Sequence, residues 1–157
     1  MDVEEARLQL MREQADAELA RAEFERQQNE FLAALQQADK ECAEAQKAHS
    51  SMLEALAAYT AASADPLAEQ SHVAELQQRY LAAKAVYERE AAEAEDARRT
   101  AEQERAEAEE ARALKEQEEH DVQQAAAALQ REIEEASSAA HVFEQVFFIG
   151  SLITLNL

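Results

Sequence analysis

The stretch "AASADPLAEQ", residues 61–70, holds the single proline of the chain and the clearest break in its helical pattern. Pro66 lacks an amide hydrogen and has a fixed φ, so it is excluded from a helix interior. It suits a first helical turn, with Asp65 before it as N-cap. A turn at residues 63–66 is therefore expected, joining one long helix over residues 1–62 to a second over residues 67–140.

Upstream of the turn, Val3, Leu10, Ala17, Phe24, Phe31, Ala38, Ala45, Met52 and Tyr59 recur every seven residues and all are apolar. A seven-residue apolar repeat is the mark of a helix packed along a seam. A companion strip four residues on reads Arg7, Gln14, Arg21, Gln28, Leu35, Cys42, His49 and Leu56. Only its second half is apolar, which leaves the first half free to pair with another copy or with other helices.

Downstream, the strip resumes as Val73, Tyr80, Tyr87, Ala94, Ala101, Ala108, Lys115, Val122, Leu129, Ala136 and Phe143. Its companion alternates small and acidic residues, from Leu76, Ala83 and Glu90 to Glu132 and Ala139. A short turn between long helices makes them antiparallel neighbours. The fold class is therefore all-α, a long antiparallel two-helix coiled-coil hairpin with a short apolar C-terminal tail. Symmetry about residues 63–66 pairs residue i with about residue 129 − i. Phe31 is then expected near Arg98, Leu10 near Glu119, and Tyr80 and Tyr87 beside the region from Leu35 to His49.

Composition agrees with long helices. The 157 residues include one Gly, one Pro, one Cys and no Trp, so few tight connections can be built. Fifteen Lys and Arg stand against 34 Asp and Glu, a net charge of −19. Nucleic acid is thereby disfavoured as a partner, since phosphate binding needs basic side chains gathered on one face. From Glu88 to Asp121 opposite charges recur at helical spacing, as in Glu95 with Arg99, Arg98 with Glu102, Arg105 with Glu109, Arg112 with Glu116 and Lys115 with Glu119. Each such pair contributes about 0.2–0.5 kcal/mol to a solvated helix.

The sequence offers no catalytic constellation. A lone glycine at position 150 excludes phosphate-binding loops and nucleophile elbows. His49, His72, His120 and His141 have no ligand spacing. No cofactor and no metal are expected, and the chain reads as non-enzymatic. Cys42 reads as a small apolar seam residue.

The end of the chain differs from the rest. Residues 141–157 form an apolar segment in which Phe143, Val146, Phe147, Phe148, Ile149, Leu152, Ile153, Leu155 and Leu157 are the candidate partner-binding residues. Residues 137–141, "SSAAH", read as a weakening of the helix, and the alternation in "SLITLNL" suits a short strand added to a partner's sheet edge or an irregular plug in a groove. Docking on a protein, folding back near Val3, Leu8, Leu10 and Met11, and shallow insertion in a membrane are the readings of this tail. Twelve residues from Val146 are too few to span a bilayer.

The functional expectation is a structural coiled-coil component of a larger assembly, a spacer, brace or adaptor, with other proteins as partners, other coiled coils included. The alternatives are a membrane-associated tether and a stalk-like subunit of a membrane complex. An acidic N-terminus without an apolar core argues against a secretory signal. A cytoplasmic location is expected, with the cytoskeleton or cilium as the setting where such compositions are common.

Overall fold

The computed structural model describes the backbone of residues 2–154 and the side chains of residues 2–141. It contains two helices, α1 over Val3–Ala64 with 62 residues and α2 over Gln70–Thr154 with 85. They pack against each other as a hairpin, and the described residues contain no strand.

Asp2 caps α1. Its carboxylate accepts a hydrogen bond from the Glu5 amide at 2.8 Å, while Glu5 Oε2 accepts one from the Asp2 amide at 3.3 Å. This reciprocal box satisfies two amides that the helix leaves without partners. Glu4 and Glu5 add negative charge where the helix dipole is positive.

The turn lies later than the sequence led us to expect, at residues 65–69. Asp65 closes it twice: Oδ1 accepts from the Leu67 amide at 2.9 Å and the carbonyl accepts from the Ala68 amide at 3.1 Å. Pro66 thus occupies the second position of a β-turn, where its fixed φ is favourable, instead of the first turn of α2. The Glu69 carbonyl then receives the His72 and Val73 amides at 3.0 and 3.1 Å, which starts α2.

The chain divides into two compact units. The unit of residues 26–109 contains the turn. Here the Tyr59 and Tyr80 rings stack at 6.3 Å with planes 5° apart, and the His49 and Tyr87 rings meet at 4.8 Å. Partner numbers total 139 and 136, so residue i faces about residue 138 − i rather than 129 − i. Phe31 consequently borders a groove with Arg105 and Ala101 as well as Arg98. Tyr87 does reach His49, but Tyr80 meets Tyr59, outside the region between Leu35 and His49.

The other unit combines residues 1–25 with residues 110–157. Arg21 pairs with Glu119, and the Lys115 ammonium sits 5.4 Å from the centre of the Phe24 ring. These partners total 140 and 139, which places Leu10 opposite residues near 129 and not beside Glu119.

In both units the first strip of α1 is the predicted one, but its companion lies three residues on, not four. It reads Ala6, Glu13, Ala20, Gln27, Ala34, Glu41, Ala48, Ala55 and Ala62, all buried or half-buried. Arg7, Gln14, Arg21, Gln28, Leu35 and His49 are exposed instead. The seams are built on alanine: Ala38, Ala48, Ala94 and Ala101 are buried in the turn-bearing unit, and Ala6, Ala17, Ala20, Ala111 and Ala125 in the other. Small side chains let helix axes approach to the short end of the usual 8–10 Å range. Close approach favours alanine over the bulkier Leu35 and Leu56, whose bulk would hold the helices apart.

The α2 strips match expectation as far as Glu132, yet the helix does not end at residue 140. Ser137 and Ser138 cost only tenths of a kcal/mol against alanine, roughly 0.5 each, and the backbone continues as helix through Gly150 to Thr154.

Close packing at Ala38, which is 4% exposed, predicts that Ala38→Leu overpacks the seam and destabilises the hairpin by about 1–3 kcal/mol. Ala43→Leu, on an exposed position, should stay within about 0.5 kcal/mol. Urea unfolding followed by circular dichroism distinguishes the two.

Candidate functional site

The sequence-predicted partner residues Phe143, Val146, Phe147, Phe148, Ile149, Leu152 and Ile153 lie on the helical backbone of α2. Their side chains fall outside the described residues, and Leu155 and Leu157 lie outside them altogether. The backbone is helical over Ser151–Thr154, in place of the extended strand expected for the start of "SLITLNL", whose last three residues lie outside the described ones. A helix already carries its own hydrogen bonds and has none to offer a sheet edge.

Ala136 and Ala139 continue the two α2 strips, but both are exposed, as is every residue from Ile133 to His141. The register explains this. Position 136 would face residue 2 or 3, so α2 beyond it has no α1 residue opposite among those described.

Within the unit of residues 26–109, an open groove runs along one edge of the helix pair. Its two parts, of about 210 and 410 Å³, share Cys42 and Arg98. Ala45, Ala91, Ala94, Ala38 and Ala101 form an apolar floor, with His49 and Tyr87 at one end and Phe31 and Arg105 toward the other. Cys42 is half-buried at this edge rather than within the seam. It stands one heptad from His49, about 10 Å along the helix, too far for an imidazole to act on the thiol. Arg98 makes no ion pair among the described residues, and the expected contact with Glu102 does not form. The other predicted pairs do form, at 3.5 Å for Glu95 with Arg99, 2.9 Å for Arg105 with Glu109, 2.8 Å for Arg112 with Glu116 and 3.7 Å for Lys115 with Glu119.

In the unit of residues 1–25 and 110–157, charges bridge the helices. Arg21 Nε donates to Glu119 Oε1 at 2.9 Å, and Lys115 approaches the same oxygen at 3.7 Å while covering the Phe24 ring. Lys115 is the one charged residue of the α2 apolar strip, and this arrangement accommodates it: a cation over an aromatic face, with a carboxylate beside it. The Arg21 hydrogen bond holds the Glu119 carboxyl below the usual carboxylate range, burial opposes it, and attraction to Lys115 and Arg21 adds to the lowering.

Two carboxylate groups converge across the seams, Glu13 with Asp16 and Glu118 in one unit and Glu41 with Glu90 and Glu93 in the other, with oxygens within 4.8 Å in each. Arg89 neutralises part of the second group through Glu90 at 2.5 Å and Glu93 at 3.7 Å. Sequence reasoning missed both groups and the groove, because each needs the register before residues from the two helices can be placed together.

Among the described residues no helix is long and apolar enough to cross a membrane. No protein-family model matches the chain, and neither a curated protein nor a solved structure matches it.

A carboxyl whose folded pKa is lowered contributes stability above its ordinary value, and that contribution is lost as pH falls through the lowered value. Arg21→Ala should therefore move the Glu119 titration upward in side-chain carboxyl NMR. Its destabilising effect should be larger at neutral pH than in acid below the lowered value. An unmoved Glu119 titration would show that Arg21 is not its partner in solution.

Proposed function

We propose that the chain is a non-enzymatic structural component of a larger protein assembly, a spacer, brace or adaptor docked through the apolar C-terminal segment of α2. The observation that carries this reading is the exposure of Ala136 and Ala139, where the seam strips continue with no α1 residue opposite among those described. Phe143, Val146, Phe147, Phe148, Ile149, Leu152 and Ile153 follow on the same helical backbone, with Leu155 and Leu157 beyond it in the sequence.

A helix bearing bulky apolar residues is recognised by laying one face into an apolar groove or against other helices. The partner is then another protein with such a surface, coiled coils included, and the acidic charge disfavours nucleic acid. No cofactor or metal takes part in this role. The cytoskeleton or cilium is the setting suggested by composition, within the cytoplasm.

A second reading, a tether or stalk-like subunit held at a membrane, draws on the twelve uncharged residues from Val146. Shallow insertion of an apolar helix needs no spanning length. Flotation with neutral liposomes separates the readings: a protein-docking segment leaves the chain at the bottom of the gradient, and a lipid anchor carries it up.

Affinity purification from the native cell, comparing the intact chain with one ending at Ala140 and with a Phe147→Ser/Ile149→Ser/Leu152→Ser chain, tests the proposal. A defined set of proteins should be lost from both altered chains. Retention of the same partners by both would place recognition on the hairpin and contradict docking through the segment.

A further inference from the structure

Within the turn-bearing unit, α1 carries a second apolar stripe outside its seam with α2. Between Arg26 and Ala64 the helix has four leucines, and none of them lies in the two seam strips. Leu32 and Leu35 open the stripe, Leu53 and Leu56 close it, and Asp39, Cys42, Gln46 and His49 lie between. Successive members are alternately three and four residues apart, the spacing by which a helix packs along a partner helix. Leu32 is 46% exposed, Leu35 40% and Leu53 47%, so the hairpin itself leaves the stripe open.

The stripe lies about 100° around α1 from the seam. A helix seated on it therefore stands where a four-helix bundle places its next corner.

The order of residues along the stripe fits an antiparallel copy of itself. Turned about residue 44, a second copy sets Leu32 against Leu56, Leu35 against Leu53, Asp39 against His49 and Cys42 against Gln46, and two-fold symmetry makes each contact twice. The Asp39 carboxylate accepts a hydrogen bond from the imidazole of the second copy. Tyr87, 4.8 Å from the His49 ring, holds that imidazole at this edge. A parallel copy would set Asp39 on Asp39, which like charge disfavours. The row that borders the stripe on its outer side, Asn29, Gln36, Ala43, Ser50 and Ala57, carries no charge and so does not repel an equally acidic copy.

The corresponding rows of α2 support the same two-fold axis independently. In one antiparallel register Glu95 faces Arg98, Glu88 faces Arg105 and Lys84 faces Glu109 of the second copy, and all six are exposed in the hairpin. Arg98, which makes no ion pair among the described residues of its own chain, gains one. This pairing is centred between residues 96 and 97. Residue 44 of α1 lies level with about residue 95 of α2, so a single axis serves both pairs of helices.

We propose that the hairpin of residues 26–109 pairs with a second copy of this chain about that axis, as an antiparallel four-helix bundle. The open groove with Cys42 and Arg98 along it becomes the inner face of the bundle. The contact is separate from the C-terminal segment of α2 and does not depend on its docking.

Sedimentation equilibrium of the full chain tests this. The intact chain should be a dimer at about 100 μM, and so should the Phe147→Ser/Ile149→Ser/Leu152→Ser chain, which separates this contact from any made by the C-terminal segment. Leu35→Glu/Leu53→Glu should give monomers with unchanged helix by circular dichroism, because both positions are exposed in the hairpin. Asp39→Lys should raise the dissociation constant by about tenfold, and Asp39→Lys/His49→Glu, which restores opposite charge, should bring it back. The swap reads the interface without altering a leucine. Four results overturn the proposal: an intact chain that is monomeric at about 100 μM, a dimer lost with the C-terminal triple change, a dimer that survives Leu35→Glu/Leu53→Glu, or a swap that dissociates as readily as Asp39→Lys alone.

Discussion

Two helices lined with alanine lie together only where small side chains meet small side chains and every charged stem finds an alanine to cover. That steric and electrostatic match at the seam is the constraint from which the rest of the structure follows. In the unit of residues 26–109 it shows as buried Ala38, Ala48, Ala94 and Ala101, with larger residues such as Phe31, Tyr59 and Tyr80 half-buried around them. In the unit of residues 1–25 and 110–157, Ala6 at 1% exposure and Ala125 at 5% serve in the same way. Alanine contributes little burial per residue, at about 25 cal/mol per Å² of apolar area, so such a seam draws its stability from length and its specificity from its polar members.

The charges on the outer faces do a different job. Most ion pairs join residues four apart on one helix, such as Arg26 with Glu30 and Arg112 with Glu116, and both partners are exposed. Exposed pairs of this kind add only about 0.3–0.5 kcal/mol each. They keep the backbone helical where the seam is weak, and they say nothing about which residues face each other. Arg21 with Glu119 differs, because it crosses between the helices and fixes their pairing.

Much of this was legible in the sequence. The apolar repeat through Val3, Phe24 and Tyr59, the α2 strips and the hairpin topology follow from spacing, and Pro66 marks the reversal. Three features were not legible, each for a physical reason. Leu35, Cys42 and Leu56 attracted attention to the wrong companion strip of α1, because bulk is a poor guide when close approach favours alanine. Asp65 used its carboxylate and carbonyl to close a β-turn, which displaced the register by several residues although Asp-Pro equally fits a helix start. Ser137 and Ser138 looked like a break, but an isolated pair of serines weakens a helix without ending it. Of the candidate site, the residues were legible from their apolar character, whereas their setting needed the register, which puts them on a stretch of α2 with no α1 residue opposite among those described.

Residue i of α1 faces about residue 138 − i of α2, a pairing set by the alanine seam. Interhelical NOEs in the labelled protein read this pairing residue by residue. Contacts are expected between the Tyr59 and Tyr80 rings, between the Ala38 and Ala101 methyls, and from the Phe24 ring to the Lys115 side chain. Contacts from Tyr59 to Val73, from Ala38 to Ala94 and from Phe24 to Ala108 in their place would show a hairpin paired one heptad away and would contradict it.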